Sequence, residues 1–266
     1  MRETIIRSLS GFTYVSLLAA ALFYSKESLF VFFAIACLGA TYEYCNLLSL
    51  QKNIPLCAVV AVIAVFYFVQ GIYWLNFVLL ALSFLGIFYG LFFLFSKKTI
   101  LPDKVKWLLL FGYIISPFLL LTQIPFARSQ YQPEHLFAFF ILIWINDTFA
   151  FLIGKLIGRH KLMAHISPKK TIEGFAGGFV FSIAAAAITG AYYLNESAIN
   201  WMLIAIIIGI FGPLGDLFES KLKRIAGLKD SGQIMPGHGG VLDRLDSVIF
   251  SAPFVFLFLQ FYNYVS

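Results

Sequence analysis

Apolar residues along the chain gather into nine runs, near 8–24, 28–48, 54–71, 74–95, 106–124, 135–157, 174–194, 199–218 and 247–265, joined by polar links. A helix needs ~20 residues to cross the hydrocarbon layer, so the runs are of spanning length. The pattern predicts an all-α, polytopic integral membrane protein with about nine transmembrane helices. The third and fourth runs meet at Gly71-Ile72-Tyr73-Trp74, a very short turn. Basic residues then orient the bundle, because cytoplasmic links collect Lys and Arg. With the N-terminus in the cytoplasm, alternation leaves only Lys26 and Arg128, of 19 Lys and Arg, on the outer side. Missing or splitting one span would spoil that division. The chain accordingly divides into helices one to five over 1–134 and helices six to nine over 135–266. The second part carries two cytoplasmic loops, 155–173 and 219–246, the latter the longest polar stretch in the chain. Arg2 and Arg7 ahead of an apolar run, with Ala19-Ala20-Ala21 beyond, imitate a signal peptide. The run continues through Tyr24 and more spans follow, so an uncleaved first helix is expected.

Composition narrows the class further. Apolar residues make up 61% and charged residues 12%, with a mean hydropathy of +0.88. Soluble domains run at about 45–50% and about 25%, so an ordinary soluble enzyme and a disordered chain are both excluded. The +6 charge and pI of 9.2 are explained by basic residues facing anionic lipid, and nucleic acid is not an expected partner. Cys37, Cys45 and Cys57 have no metal-ligand spacing and are expected to be small apolar packing residues. The short N-terminal extension favours a bacterial cytoplasmic (inner) membrane.

Acids inside apolar spans are expensive and face a protein interior or an aqueous cavity. Three qualify: Glu43 in the second run, Asp147 in the sixth and Asp216 near the end of the eighth. Glu43 reads either as a buried acid bonded to a neighbouring helix or as a functional group. Asp147 has polar neighbours in Asn146 and Thr148, and Asp216 leads into a dense polar helix end. On a helix, Asp216, Glu219, Ser220, Lys223 and Arg224 share one side by three- and four-residue spacing. Lys229-Asp230-Ser231-Gly232 and Pro236-Gly237-His238-Gly239-Gly240 follow, where glycines let backbone N–H groups approach phosphate oxygens. Asp243-Arg244-Leu245-Asp246 then sets two carboxylates at the start of the last helix, where one acid would also suit the helix dipole. Upstream, Ser167-Pro168-Lys169-Lys170-Thr171-Ile172-Glu173-Gly174 joins the sixth and seventh helices. Ser167 or Thr171 is a candidate cap there, and Lys169 and Lys170 would sit at a helix N-terminus, a natural phosphate site. His160 and His165 have no ligand spacing and read as interfacial polar residues.

Mg²⁺ takes oxygen ligands, usually one or two carboxylates plus substrate phosphates. Asp216, Asp243 and Asp246 offer such carboxylates, and Lys170, Lys223, Arg224 and Lys229 offer charge to neutralise a polyphosphate. No Cys/His cluster, Walker loop, dinucleotide fingerprint or Ser nucleophile beside a His base is present. The inventory points to metal-assisted phosphoryl or nucleotidyl transfer at the cytoplasmic membrane surface, with a lipid as the other partner.

The stretch from Ser220-Lys221-Leu222-Lys223-Arg224 through Lys229-Asp230, Gly232, Pro236, His238-Gly239-Gly240 and Asp243-Arg244-Leu245-Asp246 closely resembles the signature of the phosphatidate cytidylyltransferase (CDP-diacylglycerol synthase) family. Met235 stands where that family usually has Leu, Ile or Phe, a mild apolar swap. Asn146-Asp147 and 167–174 look like its other polar blocks, so the resemblance covers roughly 140–266. It implies a nine-helix homodimer that turns CTP and phosphatidate into CDP-diacylglycerol and pyrophosphate. It further implies dependence on Mg²⁺, with a second, monovalent cation such as K⁺ admitted. Carried over, Asp216 and Asp243 become metal ligands with Asp246 close by. Lys170, Lys223, Arg224 and Lys229 hold phosphates, and Gly239 and Gly240 line the nucleotide site. The catalytic set is then Asp216, Lys223, Arg224, His238, Asp243 and Asp246. Substrate contacts are expected from Asn146, Asp147, Ser167, Lys169, Lys170, Thr171, Glu173, Ser220, Lys229, Asp230, Gly239, Gly240 and Arg244. His238 suits a loop-ordering hydrogen bond as well as proton transfer to the leaving group. Two alternatives differ in kind: a CTP-dependent polyprenol or phytol kinase, and a transporter. The full Lys229-to-Asp246 signature argues against the first. The absence of an internal repeat, with polar residues crowded on one surface, argues against the second.

Overall fold

Lipid-facing helices bury their backbone polar groups internally and turn apolar side chains outward, and the chain is built this way throughout. In the computed structural model, which describes residues 2–69, 73–127, 130–235, 237 and 239–265, nine helical rods follow one another among the described residues. They are α1 (Arg2–Tyr24), α2 (Lys26–Leu47), α3 (Asn53–Val69), α4 (Tyr73–Phe95), α5 (Asp103–Phe126), α6 (Pro133–Ile157), α7 (Ile172–Tyr193), α8 (Ala198–Ile225) and α9 (Leu242–Val265). Seven are long and apolar enough to cross a membrane, while α1 and α3 contribute shorter apolar stretches, Leu9–Tyr24 and Asn53–Val69. Phe68, Trp74, Leu156 and Tyr192 stand exposed on the outside, whereas Phe33, Tyr44, Phe118, Phe140, Trp201 and Phe250 fill the interior. The protein is an integral membrane protein. The Gly71-Ile72 turn and Arg128 lie outside the described residues.

Local sequence explains most helix ends. Ser25 and Ser28 form a reciprocal capping box at the α1–α2 corner. Thr171 caps α7 by accepting from the Gly174 N–H at 3.1 Å. Ser167, the other candidate cap, instead opens a strand. The 155–173 link folds into an antiparallel hairpin, β1 (Lys161–Met163) and β2 (Ser167–Thr171), in which Lys161 faces Thr171 and Met163 faces Ser167. Lys169 and Lys170 therefore project from a strand one residue before α7. The helix α8 runs past the apolar segment that marks it in the sequence, through Ser220–Arg224 to Ile225. It stops where Gly227 takes φ +69° and the Leu228 N–H reaches back to the Lys223 carbonyl at 2.8 Å, a Schellman closure. Likewise α9 begins at Leu242, so Asp243 and Asp246 belong to its first turns.

Packing places α6, α7, α8 and α9 around one cleft. Gly178 of α7 lies so close to α6 that a Cβ there would run into the Asn146 carbonyl, and small residues make that seam. At the opposite end of the bundle, Glu196 joins α6 to α8. His135 Nε2 lies 2.8 Å from its Oε1, and Trp201 Nε1 donates to its Oε2 at 2.9 Å. Cys37 and Cys45 are buried as expected for packing residues, but Cys57 is exposed on α3.

Candidate active site

At the hairpin end of the bundle, α1, α6, β1, β2, α7, α8 and α9 line a cavity of about 860 Å³. Its polar lining comprises Asn146, Asp147, Lys155, Lys161, Lys169, Lys170, Asp216, Lys223, Asp230, Asp243, Arg244 and Asp246. Its apolar lining includes Val15, Ile143, Trp144 and Phe151, and Tyr14 of α1 also lines it.

The helix α8 brings Asp216 and Lys223 to this lining and sets Glu219 and Ser220 beside them, because the four recur at three- and four-residue spacing. Ser220 Oγ donates to Asp216 Oδ1 at 3.2 Å, and Lys170 Nζ reaches across from β2 to Asp216 Oδ2 at 2.5 Å. Carboxylate oxygens of Asp216, Glu219 and Asp246 all lie within 4.8 Å of one another. Glu219 is fully buried; Lys223 Nζ lies 2.5 Å from its Oε2, and its Oε1 has no hydrogen-bond partner. Asp246 Oδ1 accepts the Ser247 N–H at 2.6 Å. Three carboxylates, Glu219 and Asp246 buried and Asp216 partly exposed, thus face two lysines, which leaves the cluster short of positive charge. Buried acids in that state are stable when a cation sits among them. Oxygen-only donors, one of them with an unsatisfied Oε1, fit a hard divalent ion.

Asp243 lies beside this trio with its carboxylate already engaged. Its Oδ1 accepts from Lys223 Nζ at 2.6 Å; its Oδ2 accepts the N–H groups of Ser231 and Gly240, each at 2.8 Å, with Ser231 Oγ at 2.9 Å. It organises the 230–240 loop and holds Lys223. Gly239, at φ +84°, packs against the same carboxylate, and Gly240 against Glu43; neither is on the cavity wall.

Several other residues singled out in the sequence stand off the wall. Arg224 is exposed, donating from Nη1 to the Leu228 carbonyl at 3.0 Å and from Nε to the Ile166 carbonyl at 3.4 Å, so it ties the hairpin to the end of α8. Glu173 accepts from the backbone N–H groups of Arg159 and His160 and pairs with His160 Nδ1 at 2.6 Å, closing the base of the hairpin. Ser167 and Lys229 are not among the lining residues, Thr171 lines the wall while capping α7, and His238 lies outside the described residues. Lys221 points the opposite way from Lys223. Its Nζ donates to the carbonyls of Phe93 (2.5 Å) and Ser96 (2.7 Å), closing the C-terminal end of α4.

Sequence reasoning overlooked three contributors and, although it grouped Glu219 with Asp216 by spacing, left Glu219 out of the metal set. Lys155 and Lys161 look like ordinary positive-inside residues. Tyr14 looks like one more aromatic in an apolar run, yet its hydroxyl is buried without a hydrogen-bond partner. Among the described residues, Lys155, Lys161, Lys169 and Arg244 line the cavity without forming an ion pair.

The chain matches the cytidylyltransferase family over residues 5–262. It is 39% identical over 183 residues to a phosphatidate cytidylyltransferase of Staphylococcus saprophyticus, an alignment covering 68% of each chain. It is 44% identical over 136 residues to one from Bacillus subtilis, covering 51% of each. To one from Staphylococcus haemolyticus it is 47% identical over 122 residues, covering 45% of this chain and 46% of the relative.

Proposed function

The chain belongs to the cytidylyltransferase family, and from that premise we propose that its cleft joins CTP to phosphatidate, releasing pyrophosphate and leaving CDP-diacylglycerol in the membrane. The observation that carries this reading is the mixed lining of one cavity: lysines and carboxylates, with an acidic trio at hand, occur together with apolar side chains, as one polyanionic and one lipidic substrate require.

Phosphatidate needs no strong base. Its second pKa is about 6, so at pH 7 it is mostly a dianion and already nucleophilic. The difficulty is repulsion between that dianion and the nucleotide's phosphates. Lys155, Lys161 and Lys169, which have no ion-pair partner among the described residues, hold the triphosphate and offset its charge. Lys170 and Lys223 belong to the same electrostatic wall, each already oriented by a carboxylate. Arg244, which lines the same cavity, receives the phosphate of the lipid, whose chains lie along Val15, Ile143 and Phe151. A phosphatidate oxygen then attacks the α-phosphorus, the bond to the β-phosphate oxygen breaks, and pyrophosphate departs toward the lysines. Asp216, Glu219 and Asp246 would hold Mg²⁺, which would supply Lewis-acid stabilisation of the phosphate oxygens. A monovalent ion such as K⁺ is the proposed second cation of this acidic pocket.

All nine rods cross the membrane in this reading, with the N-terminus and the cleft on the cytoplasmic side of a bacterial inner membrane. The distribution of Lys and Arg supports that orientation. Homodimer formation is proposed on the family resemblance. The deciding experiment uses CTP labelled separately at the α and γ positions, with phosphatidate and Mg²⁺ in detergent micelles. The α label should enter lipid while the γ label leaves as pyrophosphate. Appearance of the γ label in a lipid alcohol, with CDP left behind, would make the protein a kinase. Movement of neither label in folded protein would refute transfer chemistry.

A further inference from the structure

Glu43 belongs to α2, far from the cleft in sequence, and is buried. Its Oε1 accepts the Val241 N–H at 3.0 Å, and its Oε2 accepts the Leu242 N–H at 2.8 Å. Two N–H groups that α9 leaves unpaired at its start are thus satisfied by a side chain from another helix. Ser231 Oγ lies 3.1 Å from Glu43 Oε2 and 2.9 Å from Asp243 Oδ2, so one hydroxyl bridges the two carboxylates. The loop wraps tightly around this anchor: a Cβ at either Gly232 or Gly240 would collide with the Glu43 carboxylate. From Asp243 the connection continues to Lys223 and then to Glu219 of the acidic trio.

We propose that Glu43 is a positioning residue, which fixes the 231–242 segment and through Ser231 and Asp243 sets where Lys223 stands in the cleft. Both ends of the chain of contacts are rigid, since α2 and α8 are packed helices. The described residues of the 226–241 link form no helix or strand, and that link is what the Glu43 carboxylate grips. A single acceptor holding three donors concentrates the ordering of the whole loop at one side chain.

The proposal rests on reading the cleft as the site of cytidylyl transfer, so its test needs a measurement independent of turnover. Glu43→Gln keeps the volume but replaces one acceptor oxygen by a donor; Glu43→Ala removes both. In hydrogen exchange on substrate-free protein, amides of 231–242 should exchange about tenfold faster in Glu43→Ala. Glu43→Gln should be intermediate, and α4–α8 should stay at wild-type protection in both. In cytidylyl transfer, turnover should fall in the same order, and Ser231→Ala, which breaks the bridge but spares the helix cap, should lower turnover with the α9 amides still protected. Unchanged exchange in 231–242, or an equal rise across the bundle, would overturn the proposal. If Glu43→Ala does not fold, Glu43→Gln and Ser231→Ala carry the same comparison. Lack of cytidylyl transfer by the wild-type protein would instead refute the reading of the cleft and leave the exchange result standing.

Discussion

Replacing Glu219 by Gln removes one of three clustered carboxylates, itself fully buried, without changing its volume. The group that loses a charged partner is Lys223, whose Nζ lies 2.5 Å from Glu219 Oε2. Lys223 retains Asp243 at 2.6 Å, so no cation is left buried alone. The substituted protein should therefore be at least as stable as wild type in the presence of chelator, because repulsion among the acids falls. The opposite holds with Mg²⁺. Disturbing a metal's surroundings costs about 10–100-fold in affinity even beyond the direct ligands. At a free concentration one hundred times its dissociation constant, an ion bound to the folded state adds ~2.7 kcal/mol of stability; a hundredfold weaker site would keep ~0.4 kcal/mol. The assay is thermal unfolding in detergent across a Mg²⁺ titration, paired with the Mg²⁺ dependence of cytidylyl transfer. Wild type should be stabilised and Glu219→Gln scarcely so, and its turnover should demand far more Mg²⁺. Equal stabilisation of both proteins would refute the assignment of Glu219 to the cation site. A loss of several kcal/mol in chelator would show that Glu219 serves instead as an indispensable partner of Lys223.

Two further substitutions separate binding from scaffolding. Tyr14→Phe deletes a buried hydroxyl that has no protein partner, so its melting temperature should stay at wild type. If that hydroxyl meets the lipid substrate, KM for phosphatidate should rise about two- to tenfold with KM for CTP unchanged, and an unchanged lipid KM would refute the contact. Lys221→Met strips the donor from the terminal carbonyls of α4 and should cost about 1–3 kcal/mol of stability, measured by chemical or thermal unfolding. The surviving folded fraction should bind CTP normally; a raised KM for CTP at full stability would place Lys221 in the substrate wall instead.

The membrane class, the apolar segments, the polar blocks and the chemistry of cytidylyl transfer were legible in the sequence because each is written locally. A run of ~20 apolar residues stays in lipid whatever its neighbours do, and an excess of Lys and Arg follows from the membrane alone. Spacing also placed Asp216, Glu219, Ser220 and Lys223 together, since one helix fixes their relation. Local pattern failed where an element began or ended through distant contacts. The start of α9 at Leu242 depends on Glu43, 199 residues away, and the hairpin over 161–171 shows no strand alternation in its Ser-Pro-Lys-Lys-Thr run.

Tertiary structure alone decided how similar residues divide their roles. Lys221 and Lys223 are two positions apart and read alike, yet a helix turns about 200° between them, sending one to cap α4 and the other into the cleft. Asp243 and Asp246 both offer a carboxylate at the start of α9. The loop claims the first through the Ser231 and Gly240 amides, and the second joins Asp216 and Glu219. Nor could sequence bring Tyr14 of α1 to a cavity whose charges come from α6, the hairpin, the 226–241 link, α8 and α9. A helix dictates its own faces through a fixed turn per residue, but which face meets which depends on packing between segments far apart in the chain.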